Sequence, residues 1–262
     1  MNIIKKIKIR LMRIFTIFSW TRKLALSILK IGNRNPNKTY VNDDLSYESG
    51  KIINQLVENG HSDLISIGES KLEKIIDYAN EIDYLDIDSK KPYKIDYSSP
   101  TKPGKGLWYS NDKVISCEQI EQIVYDKNNV EIARKYLGVE PKIKDVRMWW
   151  SFPKTENKST SLYGFHYDID AYKFLKLFIY ITDVDSETGP HVIISNTHKR
   201  KTIFEKYNRR LTDKMVEERF NKERIKVMTG KSGEGFFEDT FCYHKGTSPL
   251  KPRLILQIEY ST

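Results

Sequence analysis

Beyond Glu140 the chain is cut into short runs of β-type character, and this constrains its fold more than any other feature. "KDVRMWWSF", "YGFHYDI", "KFLKLFIYITDV", "HVIIS", "GEGFFEDTFCYH" and "RLILQIEYS" are rich in β-branched and aromatic residues and are separated by turn formers. Six such runs predict an antiparallel sandwich or barrel. Upstream the period changes. "YESGKIINQLVENG" and "SKLEKIIDYANEI" carry apolar residues three and four apart, the first ending at Gly60 as a C-cap. "SCEQIEQIVYDKNNVEIARKYLG" reads as one or two more helices ending at Gly138, and residues 83–113, with Pro92, Pro100 and Pro103, read as loop. The expected class is α+β: one domain over residues 47–262, helical through residue 140 and β-rich from 141 onward, joined by an Asn- and Asp-rich linker at 33–46 to whatever precedes it.

What precedes it is basic. The first 42 residues hold ten Lys or Arg and no Asp or Glu, whereas residues 43–262 carry 34 basic against 35 acidic groups, so the net charge of +9 belongs to the N-terminus. A nearly neutral body offers none of the broad positive field that dominates nucleic-acid binding, which excludes nucleic acid as the expected partner. Within residues 1–32, Ile3, Ile7, Leu11, Ile14, Phe15 and Phe18 recur at helical spacing with Lys and Arg between them. No uncharged run reaches the roughly 18–20 residues that cross a bilayer. The expectation is a basic amphipathic helix lying on an anionic membrane surface, with packing on its own domain or a partner subunit as the alternative. Cys117 and Cys242 are the only cysteines, and two thiols distant in sequence fit a reducing cytoplasm, with a location at the inner face of the membrane following from the helix.

Chemistry enters at "SLYGFHYDID". Residues two apart on a strand share a face, so His166 and Asp168 can bind one ion together. A third donor, His244, ends the run "GEGFFEDTFCYH", whose alternation places Cys242 and His244 on one face. Two histidines and a carboxylate make the facial set that holds non-haem Fe(II) and leaves positions open. Nine residues further on, Arg253 opens an otherwise apolar strand and needs an anionic partner, which a guanidinium binds best as a carboxylate. Along "KFLKLFIYITD" the residues Lys176, Phe178, Tyr180 and Thr182 share a face of mixed polarity, that of a pocket lining. Trp149, Trp150, Tyr163 and Tyr172 could wall a substrate, against a core role for the two tryptophans together. His191 and His198 are rival ligands without a strand-spaced carboxylate; contact with substrate or surface is the reading for each.

The ordered set His166, Asp168, His244 and Arg253, with "LFIYITDVDSETGPHVIISNTHK" between them, resembles the phytanoyl-CoA dioxygenase-like branch of the Fe(II)/2-oxoglutarate-dependent oxygenases over about residues 144–260. "SNTHK" and His191 depart from that family's usual Pro-Gly-Ser-His and aliphatic residue. The resemblance implies a double-stranded β-helix, or jelly roll, of cupin type. It makes His166, Asp168 and His244 iron ligands, Arg253 the anchor of the 2-oxoglutarate tail, and Tyr180, Lys176 and Thr247 further co-substrate contacts. It also implies O₂ as oxidant, release of succinate and CO₂, and oxidation, most simply hydroxylation, of a small-molecule substrate. With a basic N-terminus in a Lys-, Asn- and Ile-rich bacterial-looking sequence, a nucleotide sugar or surface-glycan precursor is the expected class. The competing reading is a non-catalytic jelly-roll scaffold recruited to a membrane; buried ligands that face each other would then have no physical purpose.

Overall fold

The structure, a computed structural model, describes residues 18–32, 46–87, 89–101, 107–110, 114–153, 164–199 and 201–262. In chain order it runs α1 (Ser19–Gly32), α2 (Tyr47–Asn59), β1 (Ile65–Ser66), α3 (Glu69–Glu81), β2 (Tyr84–Asp86), β3 (Pro92–Tyr93), β4 (Leu107–Ser110), α4 (Glu118–Val124) and α5 (Lys127–Leu137). The β-rich part follows: β5 (Lys142–Ser151), β6 (Phe165–His166), β7 (Phe174–Tyr180), β8 (His191–Ile194), α6 (Ile203–Tyr207), β9 (Arg210–Leu211), α7 (Asp213–Arg219), β10 (Ile225–Met228), β11 (Glu234–Glu238), β12 (Tyr243–Gly246) and β13 (Arg253–Ser261). The strands form two antiparallel sheets, β1-β11-β7-β13-β5-β4-β2-β3 and β10-β8-β12-β6-β9, the two walls of a jelly roll.

The large sheet is covered by helices on one face and lines a cavity with the other, and strand alternation sorts its residues accordingly. In β7 every residue is buried: Leu175, Leu177 and Ile179 join Ile75, Leu56 and Ile132 of the helices, whereas Lys176, Phe178 and Tyr180 point inward. β13 repeats the division, with Leu254, Leu256 and Ile258 against the helices and Arg253, Ile255 and Gln257 inward. A third apolar cluster, including Phe165, Tyr167, Val192, Leu211 and Tyr243, closes the outer side of the small sheet.

The helices begin and end where their capping residues dictate. Ser46 accepts from the Ser49 amide at the start of α2, Asp126 from the Asn128 and Asn129 amides at the start of α5, and Gly60 and Gly138 close these two helices at φ of 84° and 76°. At Gly60 the requirement is double: a Cβ there would collide with Cys242 Sγ and lie 2.6 Å from His198 Nδ1.

Three parts depart from the sequence reading. "GEGFFEDTFCYH" is not one strand: it breaks at Asp239, whose carbonyl accepts from the Cys242 amide and whose carboxylate accepts from Phe241, so β11 and β12 belong to different sheets. Cys242 consequently points at His198, away from the face of His244. The stretch read as helix and loop supplies β1–β4, which extend both sides of the large sheet; pieces of two to four residues carry too little alternation to be seen. Residues 203–228, with no expected element, contain α6, β9, α7 and β10.

Of the basic N-terminal segment, α1 is the described part; Ile3, Ile7, Leu11, Ile14 and Phe15 lie outside the described residues. It docks on its own domain through Arg22, whose Nε donates to the Tyr172 carbonyl at 2.6 Å and whose guanidinium lies 3.6 Å from Asp239 and 4.6 Å from the Phe241 ring centre. Among the described residues no helix is long and apolar enough to cross a membrane.

Candidate active site

His166 ends β6, Asp168 lies two residues beyond it, and His244 sits directly opposite His166 in the ladder between β6 and β12. Asp168 is placed by its amide, which donates to the Thr240 carbonyl at 2.8 Å. The result is one trio whose ligand atoms all lie within 4.8 Å of one another. His166 Nε2 is 3.8 Å from Asp168 Oδ1, and His244 Nε2 is 3.7 Å from Asp168 Oδ2.

The outer nitrogens decide whether this trio suits a metal. His166 Nδ1 lies 3.0 Å from the Gly164 carbonyl and His244 Nδ1 3.0 Å from the Cys242 carbonyl. A carbonyl only accepts, so each Nδ1 carries a proton and each Nε2 is the nitrogen left facing Asp168, the outer hydrogen bond that orients an imidazole toward a metal. Burial lowers the His244 pKa to about 4, which keeps its lone pair free at neutral pH. Burial alone would raise the Asp168 carboxyl, but the Lys176 ammonium and the two histidines hold it well below the usual range. The donor set thus fits a divalent ion with nitrogen and oxygen preferences.

Lys176 lies against the trio. Its ammonium, almost wholly buried, sits 2.7 Å from Asp168 Oδ2, 3.0 Å from Asp170 Oδ2 and 3.9 Å from Glu259. Burial favours its neutral form, yet three carboxylates outweigh burial and keep it charged. By engaging Oδ2, Lys176 leaves Oδ1 as the oxygen of Asp168 toward His166.

The trio opens into a cavity of about 240 Å³ that also takes in Trp149, Lys176, Tyr180, His191 and Arg253. Trp149 faces this cavity while Trp150, one residue on, is fully buried in the helix-covered core. The Tyr180 hydroxyl donates to the Met228 carbonyl at 2.7 Å. His191 stacks on His244 at 5.2 Å and its Nε2 lies 2.8 Å from Glu238 Oε2, though not in line for a hydrogen bond. Burial lowers its pKa to about 3 and raises that of the enclosed Glu238 to about 7. His198 is elsewhere, 3.5 Å from Cys242 Sγ. Three residues expected there, Thr182, Thr247 and Tyr172, are not in the cavity wall; Thr182 accepts from the Leu254 amide at 3.0 Å. Thr247 donates its hydroxyl to the Pro190 carbonyl at 2.8 Å, and Tyr172 uses its carbonyl to hold Arg22. Tyr163 lies outside the described residues. Arg147, Ser151, Phe236 and Gln257 line the cavity without having been singled out from sequence. Arg147 and Ser151 were legible in the alternation around Trp149, and Phe236 shares its parity with His244 along the run read as one strand.

No protein-family profile matches the chain, and no curated protein matches it by sequence. Solved structures do match in fold. An α-ketoglutarate-dependent non-haem epimerase, SnoN of nogalamycin biosynthesis, superposes with a TM-score of 0.58 at 12% identity over 81% of this chain and 82% of its own. HygX from Streptomyces hygroscopicus, solved with nickel, 2-oxoglutarate and hygromycin B, gives 0.52 at 13% identity over 80% and 85%. EctD from S. alaskensis, solved with bound Fe, gives 0.55 at 12% over 79% and 74%. At these identities the likeness establishes the class of fold: the jelly roll that these metal- and 2-oxoglutarate-binding proteins share.

Proposed function

We propose that the protein is an Fe(II)/2-oxoglutarate-dependent oxygenase acting on a small metabolite. The observation that carries this reading is the trio of His166, Asp168 and His244, with both Nδ1 atoms tied to backbone carbonyls, opening into the same cavity as Arg253. Iron and 2-oxoglutarate, when bound, supply the oxidising chemistry, with O₂ consumed and succinate and CO₂ released. The chain's part is to hold and orient. His166, Asp168 and His244 supply three ligands on one side of the ion, and Lys176 fixes the carboxylate among them. Arg253, beside the buried Tyr180, supplies the cation for the distal carboxylate of the co-substrate. Phe178, Phe236 and Ile255 furnish an apolar wall that limits water.

The test is succinate formation from 2-oxoglutarate by the purified protein with Fe(II), ascorbate and air. Turnover, abolished in His166→Ala and Asp168→Ala, is the expected result. A scaffold that keeps only the fold would take up no Mn(II) and no 2-oxoglutarate, and that outcome overturns the proposal.

A location at an anionic membrane surface, where a nucleotide sugar or surface-glycan precursor would be met, is supported by one observation. α1 uses one face to dock on the domain and leaves Trp20, Leu24 and Ile28, four residues apart, 67%, 55% and 62% exposed, within the segment that carries ten basic and no acidic residues.

A further inference from the structure

Two of the three proposed ligands take their bearings from the same four residues. In the turn from Asp239 to Cys242, which links β11 to β12, the Thr240 carbonyl accepts from the Asp168 amide at 2.8 Å, and the Cys242 carbonyl holds His244 Nδ1 at 3.0 Å. Asp239 closes this turn. Its carbonyl accepts from the Cys242 amide at 2.8 Å and its Oδ1 from the Phe241 amide at 3.0 Å. The shape of the turn therefore sets both ligands, whereas His166 takes its orientation from the Gly164 carbonyl, outside the turn.

The turn is gripped from outside by one residue of α1. Arg22 Nη2 lies 3.6 Å from Asp239 Oδ2, and its guanidinium carbon stands 4.6 Å from the centre of the Phe241 ring. Its Nε donates at 2.6 Å to the carbonyl of Tyr172, four residues after Asp168. One planar fork thus spans the turn and the segment that carries Asp168, the two pieces of chain that the Asp168–Thr240 hydrogen bond joins. Asp239 is buried, and its Oδ2 also accepts from the Tyr136 hydroxyl at 2.6 Å. Burial alone would raise its carboxyl, but Arg22 foremost, with the Tyr136 hydroxyl, holds it below the usual range. Removing the cation would leave a buried carboxylate with neutral donors only, a costly arrangement that the turn can relieve by shifting. Leu29, seven residues beyond Arg22, packs on the helix-covered core, so α1 is seated in the position that Arg22 needs.

We infer that Arg22 is a positioning residue for the metal centre: it locks the Asp239–Cys242 turn against the segment after Asp168, which makes the N-terminal helix part of the support of Asp168 and His244. The metal in this proposal rests on the oxygenase reading, but the clamp itself is testable without any ion. In full-length, metal-free protein with ¹⁵N-labelled imidazoles, the ring-nitrogen signals of the five histidines are compared at one pH between the parent and R22Q. Displacement or splitting of the His244 signals, assigned through H244Q, is expected, with a smaller change at His166. Mn(II) affinity is then measured for the parent, R22Q, D239N and the double variant. Each single variant should bind about tenfold more weakly, the smaller of the losses that outer partners of metal ligands give. The double variant should be no weaker than the weaker single one, because both changes break one link. D239N keeps the size and the hydrogen bonds of the turn, so it carries the comparison if R22Q fails to fold. His244 signals that stay in place, equal displacement of all five histidines, or losses that multiply in the double variant overturn the proposal. A parent that takes up no Mn(II) refutes the oxygenase reading while the imidazole signals still decide the clamp. Unmoved His244 signals in a parent that binds Mn(II) refute the clamp alone.

Discussion

At the scale of single residues, the telling feature is how the buried charges are partnered. Lys176 is the buried cation that three carboxylates share, so Lys176→Met should destabilise the metal-free protein by about 3–5 kcal/mol, the usual cost of breaking a buried ion pair. Mn(II) should recover part of that loss, since it supplies the missing positive charge to Asp168. A melting temperature of the variant insensitive to Mn(II) would count against this account. Lys201 is the contrary case. Its Nζ is buried with no hydrogen-bond partner, over the rings of Tyr167, Phe241 and Tyr243 at 4.3, 4.8 and 4.3 Å. Burial dominates and lowers its pKa from 10.5 to about 8. Between those two values the unfolded chain binds the proton that the folded one has released, so stability rises with pH across that window. Lys201→Met should remove this rise and leave the protein more stable at pH 7, by on the order of 1–3 kcal/mol; denaturant melts at pH 7 and pH 10 measure both effects.

Among elements, two junctions matter most. The turn from α2 at Gly60 brings backbone within reach of Cys242 and His198, so Gly60→Ala combines a left-handed φ with a steric conflict and should cost about 2 kcal/mol or more, seen as a lower urea midpoint with an unchanged slope. α1 is the other. Because Arg22 reaches into the domain while Trp20, Leu24 and Ile28 face outward, the two faces can be separated by mutation. Replacing Trp20, Leu24 and Ile28 together by Ser should abolish co-sedimentation with phosphatidylglycerol-containing vesicles while leaving the fold intact. Binding that persists, or equal binding to purely zwitterionic vesicles, would exclude the membrane role for this face. Arg22→Ala should instead expose α1 to limited proteolysis.

For the whole molecule, the proposed metal site links metal binding to folding, because the trio draws on β6, the segment after it and β12, which the unfolded chain does not hold together. Mn(II) at a hundred times its Kd should stabilise the protein by about 2.7 kcal/mol, and EDTA should reverse the shift. Asp168→Ala should abolish the response.

The part that sequence alone determined is local. The helices from Tyr47 to Leu137 with their glycine ends, most strands of the β-rich part, and the pairing of His166 with Asp168 all follow from periodicity, capping and alternation, which act over a few residues. Alternation likewise put Lys176 and Tyr180 on one inward face, whereas the parting of Trp149 to the cavity and Trp150 to the core came only with the fold. Tertiary structure decided the rest. It split β11 from β12 at the Asp239 turn, set Lys176 on the carboxylate of Asp168, took Thr247 and Tyr172 out of the cavity wall, and brought Arg22 of the N-terminal helix onto the Asp239 turn. Each of these depends on which strands pair and on contacts between distant residues, whose energies are settled by packing and burial and leave no period in the sequence.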